Sequence, residues 1–182
     1  DGPMDRYYFG RRPTQVMMPN FRNVYQQETD FKRGYMVHFS VTRGRGVPVE
    51  GIGAALKEGL AEAGGWSVYM MMQGETIPKE TNKVYLSDTE RDAWGIPQLV
   101  TNVSYDDNDE KLLADFFKEG KAMLEKAGCT NVQTYDSKQA PGLDIHEMGG
   151  IRMGRDPNSS LLNEWNQLHN CKNVFVTDGA CM

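Results

Sequence analysis

"DNDEKLLADFFKEGKAMLEKAG" (residues 107–128) carries the strongest local signal in the 182-residue chain. Leu112, Leu113, Phe116, Phe117, Met123 and Leu124 recur at helical spacing and define one apolar face. Asp106, Asp107, Asn108 and Asp109 offer capping oxygens and negative charge where the helix dipole is positive, while Lys126 and Gly128 suit its end. One long helix is therefore expected, and its surroundings decide the fold class. "YMVHFSVT" (35–42), "WSVYMMMQ" (66–73), "NKVYLSD" (82–88), "PQLVTNVSY" (97–105), "NVQTYD" (131–136) and "NVFVTDG" (173–179) read as strands. In the first of these, alternation puts Tyr35, Val37, Phe39 and Val41 on one face and His38 on the other.

A second helix is expected within "GIGAALKEGLAEAGG" (51–65), where Ile52, Ala55, Leu56 and Leu60 form a stripe between flanking glycines. The strands are not regularly separated by helices. That order predicts an α+β domain with a largely antiparallel sheet flanked by helices. Residues 1–34 read as an extended arm, 35–136 as the sheet and helices, and 137–182 as loop followed by a terminal strand, all in one domain. There is no internal repeat.

Composition bounds the function classes. Hydrophobic residues make up 39% and charged residues 25% of the chain, ordinary values for a soluble globular protein. A net charge of -5 with a pI near 5.2 argues against a nucleic-acid partner. "RGRG" (43–46) is too short a basic run to change that and reads as a solvated turn. No apolar run approaches the roughly 20 residues of a membrane span, and "DGPMDRYYFGRR" (1–12) has no signal-peptide pattern. The compartment is not legible. Cys129, Cys171 and Cys181 are odd in number and lack CxxC spacing, so free thiols are expected.

Three motifs invite a chemical reading and fail on detail. "GIGAAL" (51–56) after a strand imitates a dinucleotide fingerprint, with Glu75 in the ribose-binding role. Leu56 nevertheless stands where the third glycine belongs, and "RGRGVPVE" (43–50) separates the strand from Gly51. His146 and Glu147 begin an HExxH pattern whose fifth position is Gly150, so paired ligands one helical turn apart are absent. Asp144 with His146, or the remote His169, makes a poor ion site, and no metal is expected. No GxSxG elbow occurs. What stays open is His146 within "LDIHEMGGIRMGRDPNSSLLNEW" (143–165): a structural histidine, or a general base whose proton affinity suits work near neutrality. The adjacent glycines would let a planar cofactor or a substrate approach the backbone.

The C-terminal third, "HEMGGIRMGRDPNSSLLNEWNQLHNCKNVFVTDGACM" (146–182), resembles the C-terminal signature of the glucose–methanol–choline (GMC) flavoprotein oxidoreductases. His146, Gly149, Gly150, Met153 and Gly154 match its first part. Leu161 to Asn163 and Leu168 to Asn170 match the middle, and Asn173 to Ala180 the last. Upstream, "FGRRPTQVMMPNFRN" (9–23), "FKRGY" (31–35), "GETIPKETNKVYLSD" (74–88) and "DAWGIP" (92–97) look like the gluconate 2-dehydrogenase flavoprotein branch. The resemblance implies the substrate-binding portion of a bacterial FAD-dependent dehydrogenase, without the Rossmann domain that holds most of the FAD. It implies oxidation of a CH–OH group of a sugar, sugar acid or polyol, with an electron-acceptor subunit as a further partner. His146 would be the catalytic base; Asp178, Gly179 and Ala180 would touch the cofactor. The family's second catalytic His or Asn falls beyond Met182. Cys181 and the Gly150-Ile151 pair depart from the usual pattern and affect fine positioning. Glu75 and Arg152 are expected in structural ion pairs. The alternative is a non-catalytic carbohydrate-binding or assembly module on the same fold. A Gly-x-Gly-x-x-Gly strand–helix upstream with Asn or His downstream would discriminate in favour of the enzyme.

Overall fold

The computed structural model describes residues 15–45, 52–61, 63–143 and 146–182. The chain forms two compact units, one from the described residues up to Pro78 with Tyr105–Tyr135, the other from Lys79–Ser104 with Asp136–Met182. Both contain antiparallel strand pairs, and among the described residues helices occur only in the first apart from a short 3-10 turn, so the fold is α+β. No Rossmann unit is present among the described residues.

The first unit is an antiparallel sheet in the order β1 (Val16–Phe21), β2 (Tyr35–Arg45), β3 (Ala63–Gly74), with helix α1 (Ala54–Ala61) between the last two strands and α2 (Asp107–Lys126) beside them. Antiparallel pairing of β2 with β3 settles the dinucleotide imitation, since a βαβ crossover joins parallel strands. Gly51, the first glycine of that motif, lies outside the described residues. Of the stripe expected there, Ile52 precedes α1 and is 92% exposed, Ala55 is exposed and Leu56 half-buried, and the Leu60 side chain lies outside the described set.

Alternation in β2 behaves as its side chains require. Tyr35 and Val37 are buried, Phe39 packs against them, and Val41, farther along, is exposed. Phe31 and Leu112 complete the buried cluster, with Met18, Phe21, Met70, Met72 and Phe116 around it. α2 begins where its carboxylates demand. Asp106 accepts from the Asn108 and Asp109 amides, and the Asp109 side chain accepts from the Asp106 amide, closing a capping box. Gly74 lets β3 come against this helix: a Cβ there would lie 2.6 Å from Leu112 Cδ2.

Part of the arm expected over 1–34 is regular. Val16–Phe21 pairs with β2 through a bulge, and Asn23 organises the following loop by donating to the Phe31 and Arg33 carbonyls while accepting from the Glu28 and Thr29 amides. Residues 1–14 lie outside the described set. Arg22 fastens β1 to α2. It donates twice to Asp115, at 2.9 and 3.0 Å, and pairs with Glu119 at 2.8 Å, while the Tyr35 hydroxyl donates to the same Asp115 carboxylate at 2.7 Å. Burial pushes the Asp115 carboxyl up, but the Arg22 and Tyr35 hydrogen bonds outweigh it and hold the group below its ordinary value. Tyr35 is pushed up, first by burial and then by its bond to that carboxylate.

Two local expectations are corrected. "RGRG" is not simply a turn, for Arg43–Arg45 continues β2; Arg43 donates to the Gly64 carbonyl and stacks on Trp66. Gly46 lies outside the described residues. "NVQTYD" forms no strand. Asn131 sits at φ 56°, a left-handed conformation that interrupts extended pairing at its first residue.

In the second unit β4 (Lys83–Arg91) pairs with β5 (Pro97–Asn102), and the short β6 (Gln167–Leu168) pairs with β7 (Cys171–Phe175). The Asp92 carboxylate accepts from the Trp94 and Ile96 amides to close the first hairpin. Leu162 is fully buried and Cys181 nearly so. The three cysteines are free. Among the described residues no helix is long and apolar enough to cross a membrane.

Candidate active site

The segment from His146 is too glycine-rich for a helix, and it runs as extended chain and turn. Gly149 takes φ 78°, which a side chain would strain. Beyond it the chain lies along the C-terminus. The Ile151 amide donates to the Ala180 carbonyl at 2.9 Å, and Met153 to Cys181 at 3.1 Å. On its other edge, Gly154 donates to Leu162 at 2.8 Å, while Leu161 and Leu162 donate to the Arg152 carbonyl. These bonds satisfy the main chain of a segment without regular structure of its own.

The C-terminus is itself built around Asp178. Its carboxylate accepts from the Ala180 amide at 3.0 Å and caps the 3-10 turn Gly179–Cys181. Gly179 is held by close approach, because a Cβ there would fall 2.6 Å from Met148 Sδ. The consequence is a cleft of about 460 Å³ lined by His146, Glu147, Met148, Asp178, Gly179 and Ala180. The residues singled out from sequence, His146, Asp178, Gly179 and Ala180, thus share one cleft. Asp144, weighed with His146 as an ion ligand, lies outside the described residues.

His146 is exposed, and its ring makes no hydrogen bond to another described residue. His169 differs. It occupies the tight β6–β7 turn, with Nε2 3.1 Å from Ser160 Oγ and 3.2 Å from the Gly154 carbonyl. Both contacts are satisfied if Nε2–H donates to the two oxygens while the Ser160 hydroxyl donates to Asp156 O at 2.8 Å. His169 therefore ties loops together, and of the two histidines in this unit His146 is the one open to a ligand.

The cleft thus offers an open imidazole, and main chain at Gly179 beneath the Met148 side chain. An imidazole beside main-chain amides is a lining compatible in chemistry with the polar edge of a planar group. The family model described as GMC oxidoreductase matches residues 78–182. The chain belongs to this family. It is 34% identical over 105 residues to paromamine 6'-oxidase of Streptomyces fradiae, covering 58% of this chain and 19% of that protein. It is 32% identical over 120 residues to 2-methyl-1,2-propanediol dehydrogenase of Mycolicibacterium austroafricanum, covering 62% and 20% respectively. It is also 27% identical over 142 residues to the fructose dehydrogenase large subunit of Gluconobacter japonicus, covering 72% and 24%. The chain thus spans about a fifth to a quarter of the length of these relatives.

Two features beside the cleft were not read from sequence. The Met148 side chain fills the space over Gly179. A second recess, of about 300 Å³, lies between Gly149–Gly150, Arg152 and residues 157–161. Arg152 makes no ion pair among the described residues, unlike the structural pairing expected for it. Glu75 does pair, with Arg33 at 3.5 Å, on the surface. The signal for the loop bonds was weak because they are main-chain bonds between irregular segments, which leave no periodicity.

Proposed function

We propose that this chain supplies the substrate side of the active centre of an FAD-dependent oxidoreductase that oxidises a CH–OH group of a sugar, sugar acid or polyol. The observation that carries the reading is the double tie of Ile151 to Ala180 and Met153 to Cys181, which sets His146 and Asp178–Ala180 on one cleft in a chain of the GMC oxidoreductase family. FAD, when bound, supplies the acceptor for the hydride that leaves the carbinol carbon. His146 accepts the hydroxyl proton, and its exposed ring lets a bulky polyol reach the ring nitrogens. Gly179 and Ala180 present backbone to the cofactor. Asp178 acts by holding the turn that carries them, through its bond to the Ala180 amide. The names of the relatives, which include a diol dehydrogenase and the large subunit of a fructose dehydrogenase, support a polyhydroxylated substrate class and a partner subunit, which would serve as electron acceptor.

In the complete enzyme, His146→Ala should slow substrate-driven bleaching of the flavin about 10²–10⁴-fold, the usual worth of a positioned base, with flavin content unchanged. Stopped-flow absorbance reads it; an undiminished bleaching rate removes His146 from the chemistry. The 182-residue chain by itself should purify colourless and inactive toward alcohols, and a yellow, reducible preparation would overturn the division of labour.

A further inference from the structure

His38 sits mid-strand in β2 on the face opposite the buried cluster, and its ring has an unmet need. Its Nε2 lies 2.9 Å from Gln73 Oε1. An amide oxygen only accepts, so Nε2 carries a proton toward Gln73, and in the tautomer this bond selects Nδ1 is a lone pair. Nδ1 is buried and is the only such side-chain polar atom among the described residues with no hydrogen-bond partner. A buried polar atom without a partner calls for a missing water, an ion or a functional role.

Strand register supplies the neighbours. Met17 of β1 and Met71 of β3 are both directly opposite His38, one on each side. Directly opposed residues share a face, with Cβ atoms roughly 5 Å apart. A methionine's flexible chain can carry its sulfur across that gap. Met17 is 53% and Met71 40% exposed, so neither thioether is committed to the core. Thioethers are weak acceptors and poor partners for a water, which needs two to four polar contacts. They are good ligands for soft cations, particularly combined with imidazole. The Gln73 bond adds the remaining element, a partner on the far ring nitrogen that fixes the tautomer and orientation of a ligating histidine.

We propose that Met17, His38 Nδ1 and Met71 form a binding site for a soft monovalent cation of the Cu(I)/Ag(I) class, with Gln73 as its positioning residue. The site is separate from the cleft around His146 and independent of the function assigned to it. Binding uses a free lone pair and two neutral sulfurs, so it releases no proton and adds one positive charge to the sheet face.

Silver(I) tests this without redox chemistry. The full chain, labelled with ¹⁵N-histidine and ¹³C-methyl methionine and with its accessible thiols alkylated, is titrated with silver nitrate in chloride-free buffer. One equivalent should shift the His38 Nδ1 resonance and the Met17 and Met71 methyl signals together, leaving His146 and His169 in place. Met17→Leu and Met71→Leu should each weaken binding at least tenfold in competition with a chelator, and Gln73→Ala should weaken it while broadening the His38 signals. Should a leucine variant lose its fold by circular dichroism, replacement of methionine by norleucine keeps the side-chain shape, removes the sulfur and should abolish the His38 shift. Silver that perturbs only cysteines or the other histidines overturns the site. So does a His38 shift that persists at equal affinity without the two sulfurs.

Discussion

In the sheet unit, Phe31, Tyr35, Val37 and Leu112 are buried to 4% exposure or less, and side chains from β2, the loop before it and α2 make the core together. In the other unit the buried apolar residues are Leu162 and Cys181, and what joins its segments is main-chain hydrogen bonding: Ile151 to Ala180, Met153 to Cys181, Gly154 to Leu162, His169 to Leu161 and Val176 to Asn166. Its β4–β5 ribbon leaves Val84, Tyr85, Leu86 and Leu99 between 45% and 69% exposed. The first unit is organised by apolar burial, which tolerates repacking. The second is organised by a network of directional bonds, which fixes positions closely with little burial behind it. A site of the kind proposed, with an imidazole set against a strand end, would gain from the second arrangement, and its stability would depend on few residues.

The largest effect follows from that dependence. Leu162→Ala removes the one fully buried side chain among the described residues of the C-terminal unit and should cost about 2–5 kcal/mol, the range for buried leucine truncations. Amide hydrogen exchange should show Ile151, Met153 and Gly154 losing protection together while β2 and β3 keep theirs. Equal loss in both units would mean that the contrast between them is wrong.

Next comes the fastening of β1 to α2. Asp115→Ala leaves Arg22 and the Tyr35 hydroxyl without their shared acceptor and should cost about 1–3 kcal/mol, as for partly buried hydrogen-bonding groups left unsatisfied. Denaturant melts read by the Tyr35 environment check it. Unchanged melts would show that the apolar cluster alone holds the strand.

The same cluster sets a pH dependence. Tyr35 has a folded-state pKa raised above its ordinary value, so its contribution is complete below about pH 10 and declines as pH rises further, when the unfolded chain ionises and the folded one resists. Asp115 has a lowered value. Its contribution is present above the ordinary carboxylate pKa and is lost as pH falls below it. Tyr35→Phe should flatten the alkaline limb of a stability-against-pH curve and, by removing one of the hydrogen bonds that lower Asp115, soften the acid limb, whereas Asp115→Asn should flatten the acid limb and soften the alkaline one. A Tyr35→Phe protein that still loses stability as steeply above pH 10 would remove the tyrosine from this account.

These contrasts also explain how much could be read without coordinates. Side-chain periodicity is visible in sequence, so α2 with its acidic cap candidates and the inward face of β2 were legible from residues alone. β1 was hidden because Pro19 and Asn20 break the strand composition of "VMMPNF". "NVQTYD" misled because strand-like composition does not supply a partner. For the cleft, physics of the sequence reached only as far as an imidazole beside flexible backbone. The pairing of His146 with Asp178 came from family resemblance, since bonds between irregular segments more than twenty-five residues apart leave no local trace.

The smallest structural change tests whether the bond network positions as well as stabilises. A Cβ at Gly179 would meet Met148 Sδ at 2.6 Å and its terminal methyl at 3.0 Å, both on a flexible side chain, and Glu147 O only at 3.5 Å. Gly179→Ala should therefore change stability by less than about 1 kcal/mol, as Met148 swings aside. Met148 lines the same cleft as His146, so its displacement goes into the space a substrate would use. In the complete enzyme the variant should keep its melting temperature within a few degrees yet raise KM or slow flavin bleaching about tenfold. Gly179→Ala with Met148→Ala, which clears that space, should recover most of the loss. Recovery would identify steric intrusion as the cause. A double variant as slow as the single one would mean that Gly179 is needed for its backbone conformation, and the close packing against Met148 would then be incidental.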